Sequence, residues 1–392
     1  MSQEQLFKKL DESYEEMVSI RRELHRYPEL SFEESETPKK IAAYHRNLGL
    51  EVTEKVGGRG VVAKLQGGKP GKTVALRADF DALPIDEETN LPFKSEVEGV
   101  MHACGHDAHT ATLLVLAKAL VDIKEEIPGT IVFIHQHAEE IPPGGAIDMI
   151  KDGCLDGVDA IFGTHIWADF PIGTIRYRKG PVMAATDRFE LDVIGKGGHG
   201  GLPHTTVDAI VTASQLVTNL QSIVSRKVDP LKPAVVTIGS FHAGKAFNAV
   251  SGKAEITGTV RTLDQDVREM VEHELEQVIK NTCHAVGADY RFVYERGYPT
   301  LNNHDKETDI VIKAASHVVD KENINEMEQI MGGEDFARYL ERVPGAFFFT
   351  GARNDKYNAT YPHHHPKFNI DESAMLIAAK TMGSAALNFL NE

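Results

Sequence analysis

Four short β-rich runs and one long helical pattern set the tightest limit on what this chain can fold into. The runs GVVAKL, TVALRADF, TIVFIHQH and AIFGTHI begin at residues 60, 73, 130 and 160, and the helical pattern HTATLLVLAKALVDIKEE lies between the second and third. Such alternation reads as α/β: a mixed, mostly parallel sheet with helices on both faces. Function in these sheets collects at the carboxyl ends of the strands. The polar residues fall there: Asp79 and Asp81 end one strand, Glu139 and Glu140 end the next, and His165 ends a third.

The segment EQLFKKLDESYEEMVSIRREL predicts one amphipathic helix, with Leu6, Leu10, Tyr14, Met17 and Leu24 near helical spacing. A second helix is expected from Thr37-Pro38, with Thr37 as N-cap and Pro38 at the first helical position, ending at Gly49. From about residue 182 the order changes. TDRFELDVIG, AVVTIGSF, AEITGTVRT and DYRFVYERG read as strands, and two long helical patterns lie among them. The result is β-α-β-β-α-β, an inserted ferredoxin-like domain. Helices near 306–320, 334–342 and 371–390 and the strand AFFFTG then complete the first domain. The expected boundaries are 1–181 and 297–392 for the catalytic domain and 182–296 for the insertion.

With 392 residues, two domains are the natural expectation. A net charge of −16 supplies no basic stripe for nucleic acid and repels an anionic membrane surface. No apolar run reaches membrane-spanning length, and the N-terminus lacks the pattern of a secretory signal. Three scattered cysteines, Cys104, Cys154 and Cys283, suggest no disulfide framework. A reducing cytoplasmic setting is the expectation.

MHACGHDAHTATLL, residues 101–114, is the most chemically loaded stretch. Cys104 and His106 lie two apart at a loop-to-helix start, and both suit zinc, manganese or a similar divalent ion. The alternative is a buried cysteine followed by Asp107 as a helix cap. Adjacent residues at a strand end point to different sides, so one of Glu139 and Glu140 could bind metal while the other takes a proton from water. His165 in GTHIW and the three imidazoles of YPHHHPKF add further donors, and Asp79 and Asp81 could orient a ligand histidine. About five donors on one rim suit two neighbouring ions better than one tetrahedral ion.

LRADFDALP, MHACGHDAH, AEE, GTHIW, GGHGGLPH and HHHPKF, in that order, resemble the amidohydrolase branch of the aminoacylase/carboxypeptidase-type dinuclear metallopeptidases. That branch includes hippurate hydrolases, indole-acetyl-amino-acid hydrolases and N-acetyldiaminopimelate deacetylases. The resemblance implies metal ligation by Cys104, His106, Glu140, His165 and His364, with Cys104 standing where the wider superfamily has a bridging aspartate. It implies Glu139 as general base and Asp81 behind the metal site. His199 would stabilise the oxyanion, in the family usually from a partner subunit. Asn248, Arg261, Gly332 and Gly333 would hold substrate. His137 before AEE, IPPGG after it, GGHGG and NAVS depart from the usual family pattern. His137 is either an extra ligand or a packing or substrate-loop residue.

The expected activity is metal-dependent cleavage of N-acyl amino acids or short peptides by a homodimer or homotetramer carrying two divalent ions per subunit. Manganese or zinc comes first, and cobalt or nickel is compatible. A dipeptidase or aminopeptidase with the same chemistry is the near alternative. A non-catalytic, metal-stabilised binding protein is the remote one.

Overall fold

The computed structural model describes residues 2–392, which divide into two compact units. The larger comprises the chain to Gly180, Asn302–Glu328 and Asp335–Glu392, and the smaller comprises Pro181–Leu301 and Gln329–Glu334. The principal strands are β1 (Glu51–Val56), β2 (Gly60–Gln66), β3 (Lys69–Asp79), β4 (Pro128–Gln136), β5 (Ala160–Pro171) and β6 (Ile175–Tyr177). In the smaller unit follow β7 (Ala185–Ile194), β8 (Ala234–Ala243), β9 (Lys253–Thr262) and β10 (Asp289–Arg296). The chain then returns to the larger unit with β11 (Ile324–Glu326) and β12 (Gly345–Arg353).

The larger unit is built on an eight-stranded sheet in the order β1-β2-β4-β3-β5-β12-β6-β11. The pairs β4/β3, β3/β5, β5/β12 and β6/β11 are parallel. The central strands read as nearly continuous apolar runs because both of their faces are covered; every residue of β12 from Gly345 to Ala352 is buried. The helices are α1 (Ser2–Glu12), α2 (Tyr14–Arg26), α3 (Thr37–Asn47), α4 (His106–Val121), α5 (Ala146–Lys151), α6 (Ala209–Ser222), α7 (Gln265–Ala285), α8 (Asp305–Ala315), α9 (Ala337–Leu340) and α10 (Ser373–Leu390). Helix α4, for which a helix was expected, is buried on nearly all sides. It shares a core with α10 (Ser373–Leu390), where Gly383 allows close approach: a Cβ there would lie 2.8 Å from side-chain atoms of both Leu6 and Leu116.

The N-terminal expectation needs correction. The predicted single helix is two, Ser2–Glu12 and Tyr14–Arg26, broken at Ser13. The first contacts α10 most and the second contacts α4 most, so tertiary packing overrides a continuous amphipathic stripe. The helix Thr37–Asn47 is real, but Thr37 is its first helical residue and does not cap it. The carboxylate of Glu29 accepts the N–H groups of Ser35, Glu36 and Thr37 instead, a cap from outside the local sequence. The antiparallel β1/β2 hairpin was not anticipated from sequence, because β1 is a largely polar edge strand.

In the smaller unit four antiparallel strands run β8-β9-β7-β10. Two helices, Ala209–Ser222 and Gln265–Ala285, begin at the caps Asp208 and Asp264. They bury Leu216, Leu220, Val271, Leu275 and Ile279 in one core with Phe189, Leu191 and Ile256 of the sheet.

His135 of β4 meets His45 of the helix Thr37–Asn47, Nε2 to Nε2 at 2.9 Å, both buried. Burial pushes His45 down to about 4, and burial followed by repulsion from His45 holds His135 well below its ordinary value. The folded chain refuses protons that the unfolded chain accepts near pH 6.5, so stability falls as pH drops from about 6.5 toward 4. Replacing His45 with Gln should shrink the stability difference between pH 7 and pH 5 by about 2 kcal/mol, measured by urea unfolding at both values.

Candidate metal centre

The site forms where β3 stops and α4 starts. Gly105, at φ +91°, turns the chain from Cys104 into the helix. A Cβ there would meet nothing closer than 3.7 Å, so the demand for glycine is conformational rather than steric. Cys104 Sγ lies 3.4 Å from His165 Nε2. His106 Nε2 lies 3.8 Å from Glu140 Oε1 and 4.0 Å from Glu139 Oε2. His364 Nε2 lies 3.4 Å from Glu140 Oε2. Two donor groups, Cys104-His106-His165 and Cys104-Glu140-His364, each bring their ligand atoms within 4.8 Å of one another, and the thiol is common to both.

Hydrogen bonds fix the direction of each imidazole. His106 Nδ1 meets Asp81 at the carbonyl oxygen (3.0 Å) and at Oδ1 (3.2 Å), which turns Nε2 toward the glutamates. His165 Nδ1 donates to the carbonyl of Ile166 at 2.9 Å, leaving the Nε2 lone pair facing the thiol. His106 Nε2 and Glu140 Oε1 are both buried without a hydrogen-bond partner, although buried polar atoms are normally paired. Burial works against a charge on His106, yet Asp79, Asp81 and Glu140 raise it to about 10. A field that would hold a proton there would equally hold a cation. Burial and then Glu140, Glu139 and Asp79 keep the Cys104 thiol well above its ordinary value; a bound cation reverses that order.

Four local readings are corrected. Strand β4 ends at Gln136, so Glu139 and Glu140 lie in a loop and not at the strand end. Ala138 takes φ +51°, which breaks the alternation of a strand, and both carboxylates face His106 instead of opposite sides. His165 lies inside β5, two residues beyond the last β5 residue paired with β3. Asp107 makes no helix-capping bond. It is buried against Arg21 Nε at 2.9 Å and His25 Nδ1 at 2.8 Å.

Of the three consecutive histidines, His363 is half-buried and accepts the N–H of Ala168, while His365 stacks on Tyr361. His364, at φ +63°, is the one that faces Glu140. His137 packs edge-on against Phe32, with centroids 6.0 Å apart, and belongs to none of the donor groups among the described residues. His199, Asn248, Arg261, Gly332 and Gly333 belong to the smaller unit. There, His199 pairs across a short ladder with Ala249, and the Asn248 carbonyl accepts the N–H of Gly200. Arg261 is half-buried on β9 opposite Thr186, and Gly333 lies against the same Thr186 side chain.

Sequence reasoning passed over His109. Its Nδ1–H reaches Asp79 Oδ1 at 2.7 Å, and its Nε2 accepts the N–H of Ile166 at 2.9 Å, beside His165, which faces the Cys104 thiol. The signal was available, because positions 106 and 109 share one face of a helix. Ser31 and Glu34 carried no such signal; their partners, Asp81 and the Ala138 backbone, are distant in sequence.

A sheet rim that gathers a thiol, imidazoles and paired carboxylates around shared vertices is the framework of a hydrolytic metal centre. Comparison with known proteins agrees. Residues 75–388 match peptidase family M20/M25/M40. YhaA of Bacillus subtilis strain 168 is 53% identical over 387 residues, covering 99% of this chain and 98% of that protein. The N-acyl-L-amino acid amidohydrolase of Geobacillus stearothermophilus is 46% identical over 306 residues, 78% of this chain and 83% of that one. The crystal structure of the YXEP protein of Bacillus subtilis, described as a dinuclear metal binding peptidase of the M20 family, superposes with a TM-score of 0.85. It is 37% identical, covering 97% of this chain and 99% of that one. The chain belongs to peptidase family M20/M25/M40 and is a hydrolase.

The pair beneath the centre gives a stability test. Arg21 is fully buried and also donates to Glu372 at 3.1 Å. Arg21→Ala leaves the buried Asp107 carboxylate without its arginine, with only His25 beside it, and should lower unfolding stability by about 3–5 kcal/mol. Adding Asp107→Asn should return part of that loss, read from urea denaturation of both variants.

Proposed function

We propose that this chain hydrolyses the amide bond of N-acyl amino acids, using two divalent cations per subunit. The observation that carries the reading is the position of Cys104 as the common vertex of two donor groups, with His106 and His165 in one and Glu140 and His364 in the other. The unpartnered, buried His106 Nε2 and Glu140 Oε1 fit cations there. A thiolate, imidazoles and a carboxylate suit manganese or zinc, with cobalt and nickel compatible. Bound ions would polarise the scissile carbonyl and make water acidic enough to be deprotonated near neutrality.

The chain's own groups supply the rest. Glu139, beside His106 but outside the two groups that share Cys104, takes the proton from water at its carboxylate and returns it to the leaving amine. Asp81 keeps His106 Nε2 directed at the site through Nδ1. Arg261 grips the free carboxylate of the amino acid, with Asn248, Gly332 and Gly333 beside the substrate. His199, contributed by a second copy of the chain, donates to the oxyanion. A homodimer, or a tetramer of two such pairs, is therefore the working form. The named activity of the Geobacillus relative supports an acyl amino acid over a dipeptide. The absence, among the described residues, of a helix able to cross a membrane is compatible with a cytoplasmic setting.

Chelation should abolish turnover of an N-acetyl amino acid panel, and manganese or zinc should restore it. Glu139→Gln should keep the bound metal and lose about 10²–10⁴-fold in kcat. Retained turnover in that variant refutes the base assignment, and faster cleavage of dipeptides than of N-acetyl amino acids refutes the substrate class.

A further inference from the structure

The base proposed above sits on the least regular part of its surroundings. Residues 137–145, between β4 and the next helix, form no strand or helix. A general base must nevertheless be held within a fraction of an ångström, since small misplacements lower rates steeply. Ala138, one residue before Glu139, adopts φ +51°. That conformation is unfavourable by about 1–2 kcal/mol for a residue with a side chain, so something must hold it.

What holds it comes from far away in sequence. Glu34 Oε1 accepts the N–H of Ala138 at 2.8 Å, across 104 residues. The Glu34 side chain is 0% exposed, and burial followed by the nearby Asp81 charge pushes it up to about 8. Its own segment is anchored too. Arg59 Nη1 donates to the Glu34 carbonyl, and Arg59 Nε lies 3.9 Å from Oε2. Two residues earlier, Phe32 at φ +65° packs its ring against His137. Ser31 Oγ donates to Asp81 Oδ2 at 2.7 Å, the same oxygen that accepts the N–H of Glu140 at 3.0 Å. One N-terminal loop thus holds Ala138 directly and Glu140 through Asp81, on the two sides of Glu139.

We infer that Glu34 is a positioning residue: by accepting the Ala138 N–H it fixes the left-handed turn that presents Glu139 to its proton. The inference rests on the reading of Glu139 as base. It assigns no proton transfer to Glu34, which touches neither substrate nor metal.

The test compares Glu34→Gln, which keeps an acceptor oxygen at the right length, with Glu34→Ala, which does not. Glu34→Asp, one methylene too short, serves if the alanine variant fails to fold. The variant without a reaching acceptor should lose about 10–100-fold in kcat, with KM and bound metal per chain unchanged. The glutamine variant should stay within about three-fold of the parent. Hydrogen–deuterium exchange of the peptide spanning 134–145 should speed up by about ten-fold or more at Ala138 in the first variant only. A merely structural carboxylate would lower metal content and melting temperature without separating kcat from KM. Unchanged kcat with unchanged exchange overturns the inference, and so does a glutamine variant as impaired as the alanine variant. Should the parent enzyme cleave nothing in the substrate panel, the functional reading falls, while the exchange measurement still decides whether Glu34 holds the turn.

Discussion

The carboxylate of Asp81 is the contact on which the rest of the centre depends. It meets His106 Nδ1 from the start of α4, the N–H of Glu140 from the loop after β4, and the hydroxyl of Ser31 from the N-terminal segment. Three separate pieces of chain are fixed in relative position by two oxygen atoms. Burial alone would push this group toward its neutral form, but His106 and the other donors hold it below the ordinary carboxylate range. A carboxylate kept ionised in the interior then keeps the imidazole directed, and the imidazole's outer nitrogen is left for a cation.

Around that hub the interior carries more charge than a core normally tolerates. Arg77 reaches Asp335 Oδ1 at 2.9 Å and Gln136 Oε1 at 2.9 Å, and it also pairs with Asp79. Arg21 and His25 serve Asp107. Buried ion pairs of this kind contribute little net stability compared with apolar replacements, but removing one partner is severe. Their concentration under one rim of the sheet is therefore explained by position rather than by stability. Asp79, Asp335 and Asp107 each have an arginine as fixed counter-charge, Arg77 for the first two and Arg21 for the third.

The sheet-forming runs were legible because central strands and the α4 helix are apolar enough to betray burial, and the donors at Cys104, His106 and Glu140 were legible because their residue types are chemically uncommon in company. What escaped was set by contacts distant in sequence. Nothing local distinguishes Ser13 as a helix break, or gives Glu29 the cap of a helix eight residues on. Glu34 reads as one acidic residue among several in SFEESE; only the fold places it beneath Ala138. The alternation rule failed at Glu139 and Glu140 for a related reason. It assumes extended backbone, and the left-handed Ala138 between strand and glutamates cancels it.

The division of labour between rigid and irregular elements follows from the chemistry. Groups that hold a cation must not move, and His106 and His165, the ligands proposed above, sit on a helix and inside a strand, each locked through its second nitrogen. The general base proposed at Glu139 has a different task. It must reach a proton on water and later a nitrogen on the leaving group, two positions separated by roughly a bond length or two. A strand would fix the carboxylate too firmly along one direction, and an untethered loop would let it wander. A loop pinned at the residues on either side of Glu139, through Ala138 and Glu140, leaves the Glu139 carboxylate its side-chain torsions while removing its backbone freedom. Two non-glycine residues with positive φ at this rim, Ala138 and His364, are tolerated on the same terms. Each is held by a backbone N–H bond, to Glu34 in one case and to the carbonyl of Ala103 in the other, so the local strain is carried by contacts that also set the geometry of the site.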